Sequence, residues 1–438
     1  MKTSTYPLAI ALAGITISAP VAAQYAEPTA TRNTQTTIRG QSGSASSKSE
    51  EKATDQQSAD KLSTGRKVEL SKEARKAIVE LQTAVNANDV ASISSKLAAA
   101  QAAAKTNDDK YMVAVLQTKA ATNAGDLAQM RAGIDALRAS GGAEAGELAS
   151  RYNNLGKRFY DAKQIDQSAA AFEQTLTIDA NNSDALKMLA SLRDAQHRGP
   201  EAASLMAKSI AAAKAAGRKP SENDYKFAAR VAYDAKSPTS AEITRAWIAD
   251  YPTSSNWRDA LRIYRDVNHL EGDAKVDVLR LTSAANALVG DGDYFAYVNE
   301  LMMLGYVNEA KTVMAQASAA KAIDPNKQAF KQFAGKLATA PTRATIDAVA
   351  KTALNGPAQK AMDAGNALYG VGAYAEAAPY YKAVAAKGGA NANEANLRLG
   401  MALARSGDKA GATAALNAVT GPQANTAKYW LIWLNTLG

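Results

Sequence analysis

The chain has 438 residues, 99 of them alanine, with 51 Lys and Arg against 42 Asp and Glu, two His and no Cys. Alanine is the strongest helix former and only 6% of the residues are aromatic, so the composition argues for helices over sheets. Lack of cysteine excludes disulfides, iron–sulfur clusters, cysteine–zinc sites and thiol nucleophiles, and two histidines leave little for a histidine-based metal centre.

Residues 1–23 read as a secretory signal. Lys2 supplies the positive start, Leu8 to Ile17 form an apolar run, and Val21-Ala22-Ala23 place small residues for cleavage after Ala23. That run is shorter than the about 20 apolar residues of a membrane-spanning helix. No cysteine follows it, which excludes a lipid-anchored form, and no later stretch is long and apolar enough to span a bilayer. The expectation is an exported bacterial protein, periplasmic or secreted. Residues 24–67 are rich in Ser, Thr, Gln and Ala with hardly any large apolar side chain, which predicts a disordered tether because nothing there offsets chain entropy.

From Val68 onward apolar residues recur at spacings of three and four, as in Ala77, Ile78, Leu81 and Val85, punctuated by Asn, Asp, Gly and Pro. Helix starts are marked at Ser221-Glu222-Asn223-Asp224, Thr239-Ser240-Ala241-Glu242 and Asp324-Pro325. No alternating run is bounded as a strand would be, so the fold class is all-α. The pattern also repeats. Asn86 to Ser92 resembles Asn123 to Gln129, and Gly365 and Gly372 recur as Gly400 and Gly407. A period of this size means one helical hairpin per repeat, with neighbours stacked on each other's apolar faces. Dividing residues 72–438 by about 35 predicts about ten hairpins. They group as N-terminal hairpins (68–200), divergent hairpins (201–355) and C-terminal hairpins with a capping helix (356–438).

Three stretches carry a resemblance. They are Tyr152, Leu155-Gly156, Phe159 and Phe172; then Gly365-Asn366-Ala367-Leu368-Tyr369, Gly372-Ala373-Tyr374 and Tyr380-Tyr381; then Leu399-Gly400, Leu403, Gly407-Asp408 and Leu416. Each resembles a tetratricopeptide repeat (TPR), in which a small residue lets two helices approach and a bulky one fills the space beside it. The resemblance implies a TPR-like α-solenoid whose concave groove, lined by first helices, binds extended peptides. Mapped residue by residue, it offers Asn153, Lys157 and Tyr160 in one copy and Asn366 and Tyr369 in another as groove residues. The basic set that grips carboxylate termini in some members is absent, since Met362 and Leu397 stand where charge is needed.

Little else suggests chemistry. His197 and His269 lack metal-ligand spacing, and Asp291-Gly292-Asp293 is half a calcium loop without its distant Glu. No phosphate-cradling glycine motif occurs in a strand–helix setting. A lysozyme-like domain attached to such an array would need the C-terminal residues that the repeats already occupy. Trp257 and Tyr264 are seven apart on one helical face and are candidate stacking residues for a glycan. Tyr429 to Leu434 belong to a last helix that is apolar almost all round, a natural cover for the open end of a solenoid. The net charge of +9 is modest for this length and no basic run interleaves aromatics, so nucleic acid is not expected. The reading is a non-enzymatic envelope scaffold without cofactor or metal, binding a protein or peptide segment. Its alternative is a glycan-associated envelope protein in polysaccharide export or cell-wall assembly.

Overall fold

The structure is a computed structural model that describes residues 68–437; the expected signal segment and tether lie outside them. Among the described residues every regular element is helical. Seven hairpins follow one another: α1 (Lys72–Asn86) with α2 (Val90–Ala103), α3 (Asn107–Ala124) with α4 (Leu127–Ala139), α5 (Ala145–Asp161) with α6 (Ile165–Ile178), α7 (Ser183–Ala195) with α8 (Gly199–Ala215), α9 (Glu222–Asp234) with α10 (Ser240–Asp250), α11 (Ser254–Val267) with α12 (Gly272–Ala284), and α13 (Gly290–Met303) with α14 (Val307–Ala319). Then the rhythm breaks into the short helices α15 (Gln328–Lys331) and α16 (Ala334–Ala338) and the single helix α17 (Arg343–Ala353). Two further hairpins, α18 (Ala358–Gly370) with α19 (Tyr374–Lys387) and α20 (Ala392–Ser406) with α21 (Lys409–Asn417), lead to the last helix, α22 (Ala424–Asn435).

The turn inside each hairpin has one signature. Asn88, Gly125, Lys163, His197, Lys236, His269, Gly305, Gly372 and Gly407 all have positive φ, between 49° and 91°. A left-handed residue closes the last turn of the first helix and reverses the chain at little length. Both histidines of the chain sit at this position, exposed and two hairpins apart, which accounts for their spacing without a ligand. Successive turn residues are 33 to 39 positions apart until Gly305, after which the next is Gly372. One turn is missing there, so the described residues hold nine hairpins where the period predicts about ten. At Gly407 (φ 91°) nothing lies within 4 Å of where a Cβ would stand, so only backbone strain opposes a side chain. Gly407→Ala should therefore lower stability by about 1–2 kcal/mol in a urea melt, the usual cost of a left-handed L-residue.

Small residues do their expected work between helices. A Cβ on Gly156 would lie 2.8 Å from the Phe172 ring, one on Gly365 2.8 Å from Tyr381, and one on Gly400 2.5 Å from Leu416. Neighbouring hairpins are also tied by polar contacts about one repeat apart. Tyr111 Oη donates to Glu147 (3.2 Å), Lys214 pairs with Asp250 (2.8 Å), Arg230 with Asp194 (2.6 Å) and Arg258 with Asp293 (2.7 Å). At the N-terminal end Asp109 is fully buried and accepts from Ser71 N and Oγ, both at 2.9 Å, and from Thr106 N at 3.0 Å. Burial opposes its ionisation, yet these donors hold its pKa below the usual carboxylate value.

Up to about residue 240 the core is built from neighbours only. Met130, Ile134, Tyr152, Leu155 and Phe159 join the second and third hairpins, and Phe172, Leu189 and Leu192 join the third and fourth. Beyond that the order changes. One cluster unites Ala241, Ile248, Trp257, Leu261, Tyr264, Val278 and Leu281 with Ile346, Leu368, Tyr381, Met401, Leu416, Tyr429 and Trp430. The C-terminal hairpins fold back onto α10–α12, and α13–α16 lie outside this shared core with a smaller one of their own. Helix α22, expected to cover an open end, packs on α20 and α21 and also against α10 and α12. Tyr429 Oη meets Thr244 Oγ1 at 2.6 Å, and Arg245 donates to Asn425 at 2.8 Å.

Candidate interaction groove

The turn residues set a common register for the first helices. Six positions before each turn stand Gln82, Lys119, Lys157, Ser191 and Arg230 in the first five hairpins, and Asn366 and Met401 in the last two. Three positions before it stand Thr122, Tyr160, Asp194 and Tyr233, then Tyr369 and Ala404. The sequence-derived candidates Lys157 and Tyr160 thus occupy the same two rows as Asn366 and Tyr369, but the two pairs have opposite surroundings.

On α5 the candidates face outward. Tyr160 is 44% exposed, Lys157 and Asn153 are half-buried, and neither Lys157 nor Tyr160 has a side-chain hydrogen bond or ion pair. Asn153 Oδ1 is buried and has no donor within reach. One hairpin earlier Lys119 Nζ meets only the amide oxygen of Asn86 (2.8 Å). Two lysines one repeat apart with no carboxylate partner, a free phenol and an orphaned amide oxygen offer donors and an acceptor that the chain itself leaves unused.

In the C-terminal hairpins the same rows are filled from within, which corrects Asn366 and Tyr369 as groove residues. Asn366 is 6% and Tyr369 5% exposed. Asn366 Oδ1 accepts from Tyr381 Oη (2.9 Å) and Arg398 Nη1 (3.2 Å), and the Arg280 guanidinium carbon sits 4.9 Å from the Tyr369 ring centroid. Met362, Leu397, Met401 and Ala404 are equally buried. The occupants are Tyr381 of the same hairpin, Arg398 of the next one and, through the fold-back, Arg280 of the sixth. The cause is the fold-back, which presses α18 and α20 onto α12 and α14.

At the centre of that contact is a buried charge network. Arg280 binds Glu309 through Nε (2.9 Å) and Nη2 (2.7 Å), and Asp277 through Nη1 (2.8 Å). Arg398 reaches Asp277 (3.4 Å), Glu394 (2.8 Å) and Asp273, the last also receiving Tyr306 Oη. Tyr297 Oη donates to Glu309 at 2.6 Å. Both arginines are 1% exposed. Burial works against the charge of Arg280, but Glu309 and Asp277 outweigh it and raise its pKa well above the ordinary value. Burial likewise pushes the Tyr297, Tyr369 and Tyr381 phenols up, so they stay neutral. The Glu394 carboxyl is raised by desolvation, with Arg398 opposing. The arginines are ion-paired to carboxylates and burial keeps the phenols neutral, so the network acts as a lock between helices.

The stacking candidates are corrected as well. Trp257 and Tyr264 are each 2% exposed, and the Tyr264 ring lies 4.9 Å from that of Tyr429. Tyr264 is consumed by the docking of α22 and Trp257 by the same shared core, which leaves no face for a sugar. Asp291 and Asp293, the half calcium loop, instead pair with Lys327 and Arg258.

The chain matches no protein-family model and no curated protein. Among solved structures it is similar to one reported in work on the functional characterisation of Pseudomonas aeruginosa pilF. The two share 11% identity, over 60% of this chain and 97% of that one, with a TM-score of 0.23. A superposition that loose carries no argument; the array of helical hairpins stands on its own turns, glycines and packing. No helix among the described residues is long and apolar enough to cross a membrane.

Proposed function

We propose that the protein is a non-catalytic interaction scaffold that binds a segment of another protein along the first helices of its N-terminal hairpins. One contrast carries the reading. The row positions of the C-terminal repeats recognise groups of the chain itself, whereas Lys157 and Tyr160, in the same rows, have no partner and stand beside the orphaned Asn153 oxygen. Side chains that a repeat elsewhere uses for recognition are here left free. A segment bearing carboxylate or carbonyl acceptors suits Lys119 and Lys157. The apolar start and small-residue site of residues 1–23 support an envelope location for this role, after export.

Pull-down from envelope extracts with the tagged full chain tests the site. Lys157→Glu and Tyr160→Ala should each reduce capture of the principal partner at least fivefold, with unchanged helicity by circular dichroism. Equal capture by both variants would remove these residues from the binding surface. Fractionation of cells producing the tagged full chain tests the location separately.

A further inference from the structure

The break in the hairpin rhythm creates a second recessed surface, on the far side of the molecule's sequence from Lys157. A cleft of about 270 Å³ opens beside the seventh hairpin's turn, walled by Leu304, Tyr306, Val307, Pro341 and Ala367. It exists because the missing turn between Gly305 and Gly372 leaves only short helices where a full hairpin would pack. Apolar exposure gathers at the same part of the chain. Of the eight large apolar side chains exposed among the described residues, Val289, Met303, Leu304, Val349 and Leu354 fall between positions 289 and 354, and Met303 is 73% exposed.

The cleft is acidic. Asp363 lines it as an exposed carboxylate, Glu309 lies at its floor already bonded to Arg280 and Tyr297, and no Lys or Arg is among its lining residues. Asp363 has one polar partner, the Gln359 amide at 2.8 Å, and no cation within ion-pair distance. The adjoining network sets four carboxylates, the buried Asp277 and Glu309 and the partly exposed Asp273 and Glu394, against the two guanidinium groups of Arg280 and Arg398. Both arginines are ion-paired to those carboxylates, and Lys336, on α16, is hydrogen-bonded to the Met302 carbonyl (3.0 Å). An apolar-walled recess with uncompensated negative charge suits a cation on an aliphatic stem, because low-dielectric walls strengthen the attraction while the stem covers apolar surface.

We propose that this cleft binds a basic side chain of a partner protein segment, flanked by apolar residues that lie on Met303 and Leu304. The stem packs along Tyr306, Val307 and Ala367, and the cation is paired by Asp363. The site is independent of the Lys157 surface, so the scaffold would hold two segments of opposite character.

The test uses the full chain and two fluorescein-labelled heptapeptides, Ser-Gly-Leu-Arg-Leu-Gly-Ser and its Gln analogue, read by fluorescence anisotropy. Saturable binding of the Arg peptide is expected, at least tenfold tighter than the Gln peptide. Asp363→Asn should weaken the Arg peptide about tenfold and leave the Gln peptide unchanged, while Lys157→Glu should not weaken it. Asp363 is exposed, so its variant retains the fold, checked by an unchanged thermal melt. In 13C-methyl methionine spectra the Met303 signal should shift on addition of the Arg peptide. Equal affinity for both peptides, indifference to Asp363→Asn, a still Met303 signal or absence of saturable binding would each overturn the proposal. Loss of binding in Lys157→Glu alone would assign the peptide to the N-terminal rows instead.

Discussion

Arg280→Met is expected to destabilise the C-terminal half by about 3–5 kcal/mol, the cost of leaving buried carboxylates without their cation. Methionine keeps most of the aliphatic stem, so the loss isolates the guanidinium. Glu309 would lose the bonds at 2.9 and 2.7 Å and keep only Tyr297, and Asp277 would lose its bond at 2.8 Å. Both carboxylates are almost wholly withdrawn from water, at 5% and 2% exposure. The double variant with Glu309→Gln should recover part of the loss, because one stranded charge is then removed. Urea unfolding gives the size of the effect, and hydrogen exchange gives its place. Amides of α12, α14, α18 and α20 should exchange faster while those of α3–α6 stay as they are. Uniform loosening of every hairpin would contradict the network's role as a local lock.

Trp430→Ala should cost about 3–5 kcal/mol, the range for truncating a fully buried large aromatic residue. The indole is completely buried, meets Trp433 edge-on at 5.3 Å, and belongs to the cluster that joins α22 to α10–α12. Its Nε1 has no acceptor, so the loss is one of packing alone. Trp430→Phe therefore serves as the control. It leaves a smaller cavity and removes an orphaned donor whose burial is itself unfavourable, so its cost should stay under about 2 kcal/mol. In Trp430→Ala, α22 amides should lose protection first, followed by α10 and α12. Trp430→Phe as damaging as Trp430→Ala would mean the indole nitrogen has a partner after all.

Much of this architecture is written in local pattern. Spacings of three and four gave the helices, and Gly156, Gly365 and Gly400 marked close approaches that each would clash if a Cβ were added. The turn code was only partly readable, since Lys163, His197, Lys236 and His269 hold left-handed positions that glycine advertises elsewhere. The fold-back was not readable from repeats at all. Its contacts join residues as far as 125 and 188 positions apart, as between Arg398 and Asp273 or Tyr429 and Ala241, and a period of about 35 residues contains no information on them. One signal was present. In Val276-Asp277-Val278-Leu279-Arg280-Leu281 apolar residues cover every side of α12, which is the mark of a helix buried all round, and the two charges inside it had to be paired. Asn366 and Tyr369 misled for a related reason. They sit at recognition positions, as the repeat register says, but the recognised groups belong to the same chain.

The two ways of building a core have different consequences for how such a chain can change in length. Up to residue 240 each hairpin touches only its neighbours, so a whole hairpin can be inserted or deleted with the new junction looking like the old one. Past that point the distance along the chain between Asp277 and Arg398 is part of the structure, because both ends of the lock must arrive together. An added or lost repeat there moves Arg398 away from its carboxylates and α22 away from Thr244. The N-terminal half is open to duplication and the C-terminal half is held to a fixed count.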